Sequence, residues 1–152
     1  MIFDRTKEDV ENAQNIFDEK VKNFLNLTEE EIETLERGRI TKNTLNRIEE
    51  KQKVLMEEMQ ELGYFNSNVE NFYWSDSDIF YSSDLDRIFS NTEILRRAFL
   101  TNPDTPKTPK VAFYFDYINK IERILYDLGV SIEYVKCRIK RCGTFNCGEV
   151  FS

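Results

Sequence analysis

The chain has 152 residues, 28 of them acidic against 21 basic, a net charge of −7 and no histidine. That length supports one domain with a real core, and the acidic balance argues against a nucleic-acid binder that works by neutralising phosphates. Without histidine no Ser–His–Asp or Cys–His site can form within the chain, and the commonest general base and metal ligand are missing.

The first helix is predicted from Thr6 to about Leu25. Thr6 and Asp9 make an approximate capping box, and Val10, Ala13, Phe17 and Phe24 recur on one face. A short second helix follows Thr28, with Glu31 completing the capping signature and Gly38 suited to a left-handed stop. Its only apolar residues are Ile32 and Leu35, which predicts a surface helix. A third helix starts between Thr41 and Thr44 and ends at Gly63. Its seam is Leu45, Ile48, Gln52, Leu55, Met59 and Leu62, an alternation of three and four that fits antiparallel bundle packing.

Residues 64–81 break that pattern. They mix loop material with the aromatic clusters Phe72-Tyr73-Trp74 and Ile79-Phe80-Tyr81, and are expected to run extended over the bundle. The fourth helix is predicted from an N-cap at Ser82 or Ser83 to about Leu100, with the seam Leu85, Ile88, Thr92, Leu95 and Phe99. Residues 101–110 hold all three prolines and read as a stiff exposed connection. Thr108-Pro109 then suits the N-cap and first turn of a fifth helix, stopped by Gly129. From Ser131 to Lys140 the apolar pattern has period two, which predicts a strand with Val135, Cys137 and Ile139 on one face. The fold class expected is mainly α, a bundle of four to five helices over residues 1–129. A short β strand or hairpin over 130–152 would be a docking element.

One motif recurs three times: Leu45-Asn46-Arg47-Ile48, Leu85-Asp86-Arg87-Ile88 and Ile118-Asn119-Lys120-Ile121. The apolar spacing after each copy continues alike to Leu55, Leu95 and Leu128, with Gln52, Thr92 and Leu125 between. This marks a framework of repeated core helices. The basic residues flank the core with their stems or pair with acidic neighbours to set register. Gln52 and Thr92 either hydrogen-bond to each other or lie at a solvated edge.

Cys137, Cys142 and Cys147 are spaced by five. Three thiols without histidine do not close an ordinary structural zinc site, so they are weak metal candidates that need a carboxylate such as Glu149 or a second subunit. Reduced thiols and no cofactor are the expectation. The Cys-Gly pairs at 142–143 and 147–148, each followed by an apolar residue, suggest a terminal hairpin that either docks a partner by its edge or folds back on the bundle. The candidate partner-binding residues are Phe72, Tyr73, Trp74, Phe145, Val150 and Phe151.

Several stretches together resemble a family. Met1-Ile-Phe-Asp-Arg-Thr6 with Asp9-Val10, Thr44-Leu-Asn-Arg-Ile-Glu49, and Trp74 with Asp78 leading to Asp86-Arg-Ile88 and Asn91 are similar to small structural proteins. So are Pro106 to Pro109, Asn119-Lys-Ile-Glu-Arg-Ile-Leu125 and the ending Cys142-Gly-Thr-Phe145 with Cys147-Gly-Glu149. The family comes from tail and baseplate gene clusters of phages and prophages of Gram-positive bacteria. The motifs are short and span nearly the whole chain; the compact loop between the first two helices and the cysteines depart from the family pattern. The resemblance implies a non-enzymatic adaptor of a phage tail or tail-like particle, near the baseplate or fibres. Its partners would be other tail, baseplate or fibre proteins, with a homo-oligomer in the particle as an option, and neither nucleic acid nor membrane insertion is implied. With no signal peptide and no apolar run of spanning length, the chain is expected in the host cytoplasm and then in the virion. The alternative is a soluble acidic regulatory module that binds an assembly partner without entering the particle.

Overall fold

Three of the five helices among the described residues point the same way. The computed structural model describes residues 4–65, 68–99, 101–108 and 115–142. It contains α1 (Lys7–Ile16, continued by a π-helical turn at Phe17–Val21), α2 (Glu29–Gly38), α3 (Lys42–Glu61), α4 (Ser82–Ala98) and α5 (Phe115–Cys142). Residues near the start of α3 meet residues near the starts of both α4 and α5: Arg87 pairs with Glu49, and Arg47 with Glu122. Further on, Gln52 bonds Thr92, Gly129 packs on Lys51 and Leu55, and Lys136 reaches Glu58. Residue numbers rise together along every pair, so α3, α4 and α5 are parallel rather than antiparallel as the seam suggested.

The parallel arrangement explains the repeated motif, because it puts all three copies at one height. From there the core rises in layers with one residue from each helix. Leu45, Leu85 and Ile118 make the first, then Ile48, Ile88 and Ile121, then Gln52, Thr92 and Leu125. Leu55, Leu95 and Leu128 follow, then Met59, Phe99 and Ile132; every one of these residues is buried. Offsets of three and four in all three helices make this a heptad-type seam in register, as in a parallel trimeric coiled coil. Each fully buried Leu or Ile is worth ~1.5–3 kcal/mol in apolar burial. The third layer is polar. Gln52 Nε2 donates to Thr92 Oγ1 at 2.7 Å and to the Ile88 carbonyl at 2.9 Å, so the two seam residues do meet. The Gln52 amide oxygen has no partner and the side chain is fully buried. A polar group of this kind favours one register at a cost in stability.

Parallel helices need long returns. Residues 69–76 run back along α3, with Val69 at Met56, Phe72 at Glu49, Trp74 at Asn46 and Asp76 at Lys42. The second return passes Asp127 with Thr105 and Glu93 with Thr108.

The helices α1 and α2 form a separate antiparallel hairpin. Capping boxes at Thr6/Asp9 and Thr28/Glu31 start them as the sequence predicts. Gly38 does not adopt the expected left-handed stop; it ends α2 where the two helices touch. A Cβ there would lie 2.1 Å from the Asp9 carbonyl oxygen and 2.4 Å from the Ala13 Cβ. The hairpin is tied to the bundle at its base, through Arg5 on Asn119 and Glu122 and through Glu36 on Asn43.

Other boundaries also differ. The N-cap of α4 is Tyr81 rather than Ser82 or Ser83, and its amide is satisfied by Asp84 at 2.9 Å. The strand expected over 131–140 is the continuation of α5, and the stop expected at Gly129 does not occur. The proposed division between 129 and 130 therefore falls inside a helix. Ile132 is fully buried in the core whereas Cys137 and Ile139 are exposed, so the helical seam wins over the period-two pattern. Apolar burial against two other helices outweighs the ~1 kcal/mol that a glycine costs a helix interior. Of the hairpin expected over 142–150, Cys142 ends α5 instead and residues 143–150 lie outside the described residues. Among the described residues there is no strand, and no helix is long and apolar enough to cross a membrane.

Candidate functional site

The segment Val69–Asp76 lies in the groove between α3 and α4 and carries the first aromatic cluster. It belongs to no helix or strand, so its backbone groups need side-chain partners. The motif on α3 supplies them. Asn46 clamps Trp74 on both sides: the Trp74 amide donates to Asn46 Oδ1 at 2.7 Å, and Asn46 Nδ2 donates to the Trp74 carbonyl at 2.9 Å. One turn later Glu49, 1% exposed, accepts four hydrogen bonds. Arg87 donates to both of its oxygens at 2.7 Å, Phe72 N donates at 2.7 Å and Trp74 Nε1 at 3.0 Å. The Glu70 carbonyl accepts from Arg87 at 3.0 Å and from Asn91 at 2.7 Å.

The charges reinforce each other. The Glu49 hydrogen bonds hold the Arg87 guanidinium above its ordinary pKa. Beyond the clamp, Asp78 accepts from the Ser75 amide at 2.6 Å and from its hydroxyl at 2.7 Å, and those bonds lower its pKa. The extended segment is thus held by bonds at nearly every second residue.

This pinning sorts the aromatic residues. Trp74 is 4% exposed and packs edge-on against Phe72 and Phe80, with ring centroids 4.9 and 5.3 Å away. Trp74 therefore anchors the segment and is not available as a contact surface. Tyr73 is 79% exposed, Phe72 is half-exposed, and Ile79 and Tyr81 are exposed further along. Phe72 is the ridge between two shallow clefts. One, of about 290 Å³, is lined by Asn46, Glu50, Lys53, Asn71 and Tyr73. The other, of about 400 Å³, is lined by Trp74, Ser77, Asp78, Ile79 and Tyr81.

The same clamp occurs a second time. Asn119 on α5 donates to the Arg5 carbonyl at 2.9 Å and accepts from the Arg5 amide at 3.3 Å. Glu122, fully buried one turn later, takes Arg5 and Arg47. The motif is therefore longer than four residues: Leu45-Asn-Arg-Ile-Glu49 and Ile118-Asn-Lys-Ile-Glu122 each hold an extended segment and an arginine from the next helix. On α4 the pattern lapses, with an exposed Asp86 and a buried Phe89 in the asparagine and glutamate places. Lys120 lies over the Tyr117 ring at 5.2 Å.

Of the other predicted site residues, Phe145, Val150, Phe151 and Cys147 lie outside the described residues. Cys137 is an exposed free thiol on α5. Cys142 falls in the final helical turn. Among the described residues no group of His, Cys, Asp and Glu could hold a metal ion. Glu49, Asn46 and Asn119 are not among the site residues that the sequence predicts. The available signal was a glutamate one position after two of the three motif copies.

Comparison with protein-family models, with curated proteins and with solved structures returned no match.

Proposed function

We propose that the chain is a non-enzymatic structural adaptor that works by protein–protein contacts, with the α3–α4 segment as its contact surface. The observation that carries this is the pairing of a rigid backbone with exposed aromatics. Asn46, Glu49 and Arg87 hold the segment in place, while Phe72, Tyr73, Ile79 and Tyr81 stand exposed on it. Apolar anchors held in advance lose little conformational entropy on binding, which favours affinity per residue. Acidic surroundings suit a partner with basic residues at the rim. The sequence resemblance supports a phage tail or tail-like particle, near the baseplate or fibres, as the place of action.

The test is immunolabelling of purified particles, combined with a photo-reactive residue in place of Tyr73. Cross-linking of Tyr73 to one tail, baseplate or fibre protein is the expected result. Absence of the chain from intact particles would sink the particle assignment and favour the soluble assembly module. Cross-links equally frequent from a distant exposed position such as Ser90 would sink the contact surface.

A further inference from the structure

Three parallel helices enclose three grooves, and the described chain fills two of them. Residues 69–76 lie between α3 and α4, and residues 101–108 pass between α4 and α5. Among the described residues, the third groove, between α5 and α3, is entered only at its N-terminal end, where Arg5 sits on Asn119 and on Glu122, the carboxylate that also pairs with Arg47. Below Arg5 it is a cleft of about 880 Å³ lined by Glu50, Lys51, Val54, Tyr126, Gly129 and Val130 among others. Val54, Tyr126 and Val130 are each more than a third exposed along it. Among the described residues, no segment covers this stretch.

Chain order supplies the occupant. After α3 the chain turns back up one groove, and after α4 it turns back up the next. After α5 come residues 143–152, outside the described residues. They include Phe145, Val150 and Phe151, no proline and a single charged residue, Glu149. Ten residues reach at most roughly 33–36 Å, against about 20 Å along α5 from its end back to Gly129.

We propose that the groove between α3 and α5 is the binding site for residues 143–152 of the same chain, laid antiparallel to α5. This goes beyond the contact surface on the α3–α4 segment and does not depend on it. It assigns Phe145, Val150 and Phe151 to the bundle rather than to a partner.

The test uses the full chain with Cys137→Ser and Cys142→Ser, which leaves Cys147 as the single native thiol. Val54→Cys is added in the groove, or Ser90→Cys on α4 as a control. Under mild oxidation the groove variant should form an intramolecular disulfide with Cys147 at least tenfold faster than the control. Equal rates, or a disulfide found only in dimers, would overturn the proposal, the latter by showing that a second copy supplies the segment. Independently, Val130→Glu in the full chain should speed carboxypeptidase trimming of residues 143–152 about tenfold, with Trp74 emission unchanged. Unchanged trimming in that folded variant would also overturn it.

Discussion

Replacing Glu49 by glutamine tests whether one carboxylate holds the contact segment in place. The substitution keeps shape and volume, so no cavity forms, but it converts one acceptor oxygen into a donor NH2. Whichever way the amide turns, two of the four donors that Glu49 accepts then face an NH2. The pairs are Arg87 Nη2 with Trp74 Nε1, or Arg87 Nη1 with the Phe72 amide. Each lost bond to a charged acceptor is worth ~1.5–3 kcal/mol. The stranded Arg87 side chain is 19% exposed, so water recovers part of the loss. The expected destabilisation is about 3 kcal/mol. Urea unfolding followed by far-ultraviolet circular dichroism reads it as a lower midpoint at similar slope. Trp74 is the only tryptophan, so its emission reports the segment alone. It should shift to the red in Glu49→Gln at urea concentrations where helicity is intact. A loss below about 0.5 kcal/mol with unchanged emission would refute the reasoning.

Gln52→Leu should stabilise the chain by ~1–2 kcal/mol, because it removes a buried amide oxygen that has no partner while Thr92 keeps its bond to the Ile88 carbonyl; a lower urea midpoint would contradict this. Gly38→Ala drives a Cβ into the Asp9 backbone and Ala13 and should cost ~1–3 kcal/mol, read as proteolysis within residues 7–38 before the bundle is cut. Acid should loosen the second return: hydrogen bonds from Arg96, Thr108 and Arg97 hold the Glu93 carboxyl down at about 2 against an ordinary 4.5. Its stabilisation is complete above pH 4.5 and is lost as pH falls toward 2, by ~1–2 kcal/mol after solvent screening, so Glu93→Gln should flatten stability against pH in that window.

The helices and their seams were legible because apolar periodicity is a local signal. The seam residues Leu45, Ile48, Leu55, Leu85, Ile88 and Leu95 are all buried, as are Ile118, Ile121, Leu125 and Leu128. Helix direction was not legible from the seam, since alternation of three and four serves parallel and antiparallel packing alike. The connections did carry it. Returns over 62–81 and 99–114 are far longer than an antiparallel helix pair needs. The strand predicted after Gly129 failed because a period of two over Val135, Cys137 and Ile139 competed with the longer seam Leu125, Leu128, Ile132, Val135. Within the site, the exposed Tyr73 and the anchoring Trp74 are adjacent in the sequence and alike in composition. Only the clamp by Asn46 and Glu49 decides which of them faces the core.

That clamp also changes what the repeated motif means. A helix that merely contributes core needs apolar residues at the seam and any soluble residue beside them. Here the neighbours of the seam are used individually. Asn46 and Asn119 hold the backbone of an extended segment, Glu49 and Glu122 receive arginine from the next helix around, and Arg87 and Arg47 are those arginines. Passed from α4 to α3 to α5, these pairs make two steps of a three-step ring. The third step, from α5 to α4, is missing because Phe89 stands where the carboxylate would be and Lys120 lies over Tyr117 instead. Buried ion pairs add little net stability compared with apolar packing, but breaking one partner is costly. Their effect is therefore on which helix sits beside which. Two directional pairs suffice to order three helices around an axis, so the third position is free to carry an apolar side chain, as Phe89 does.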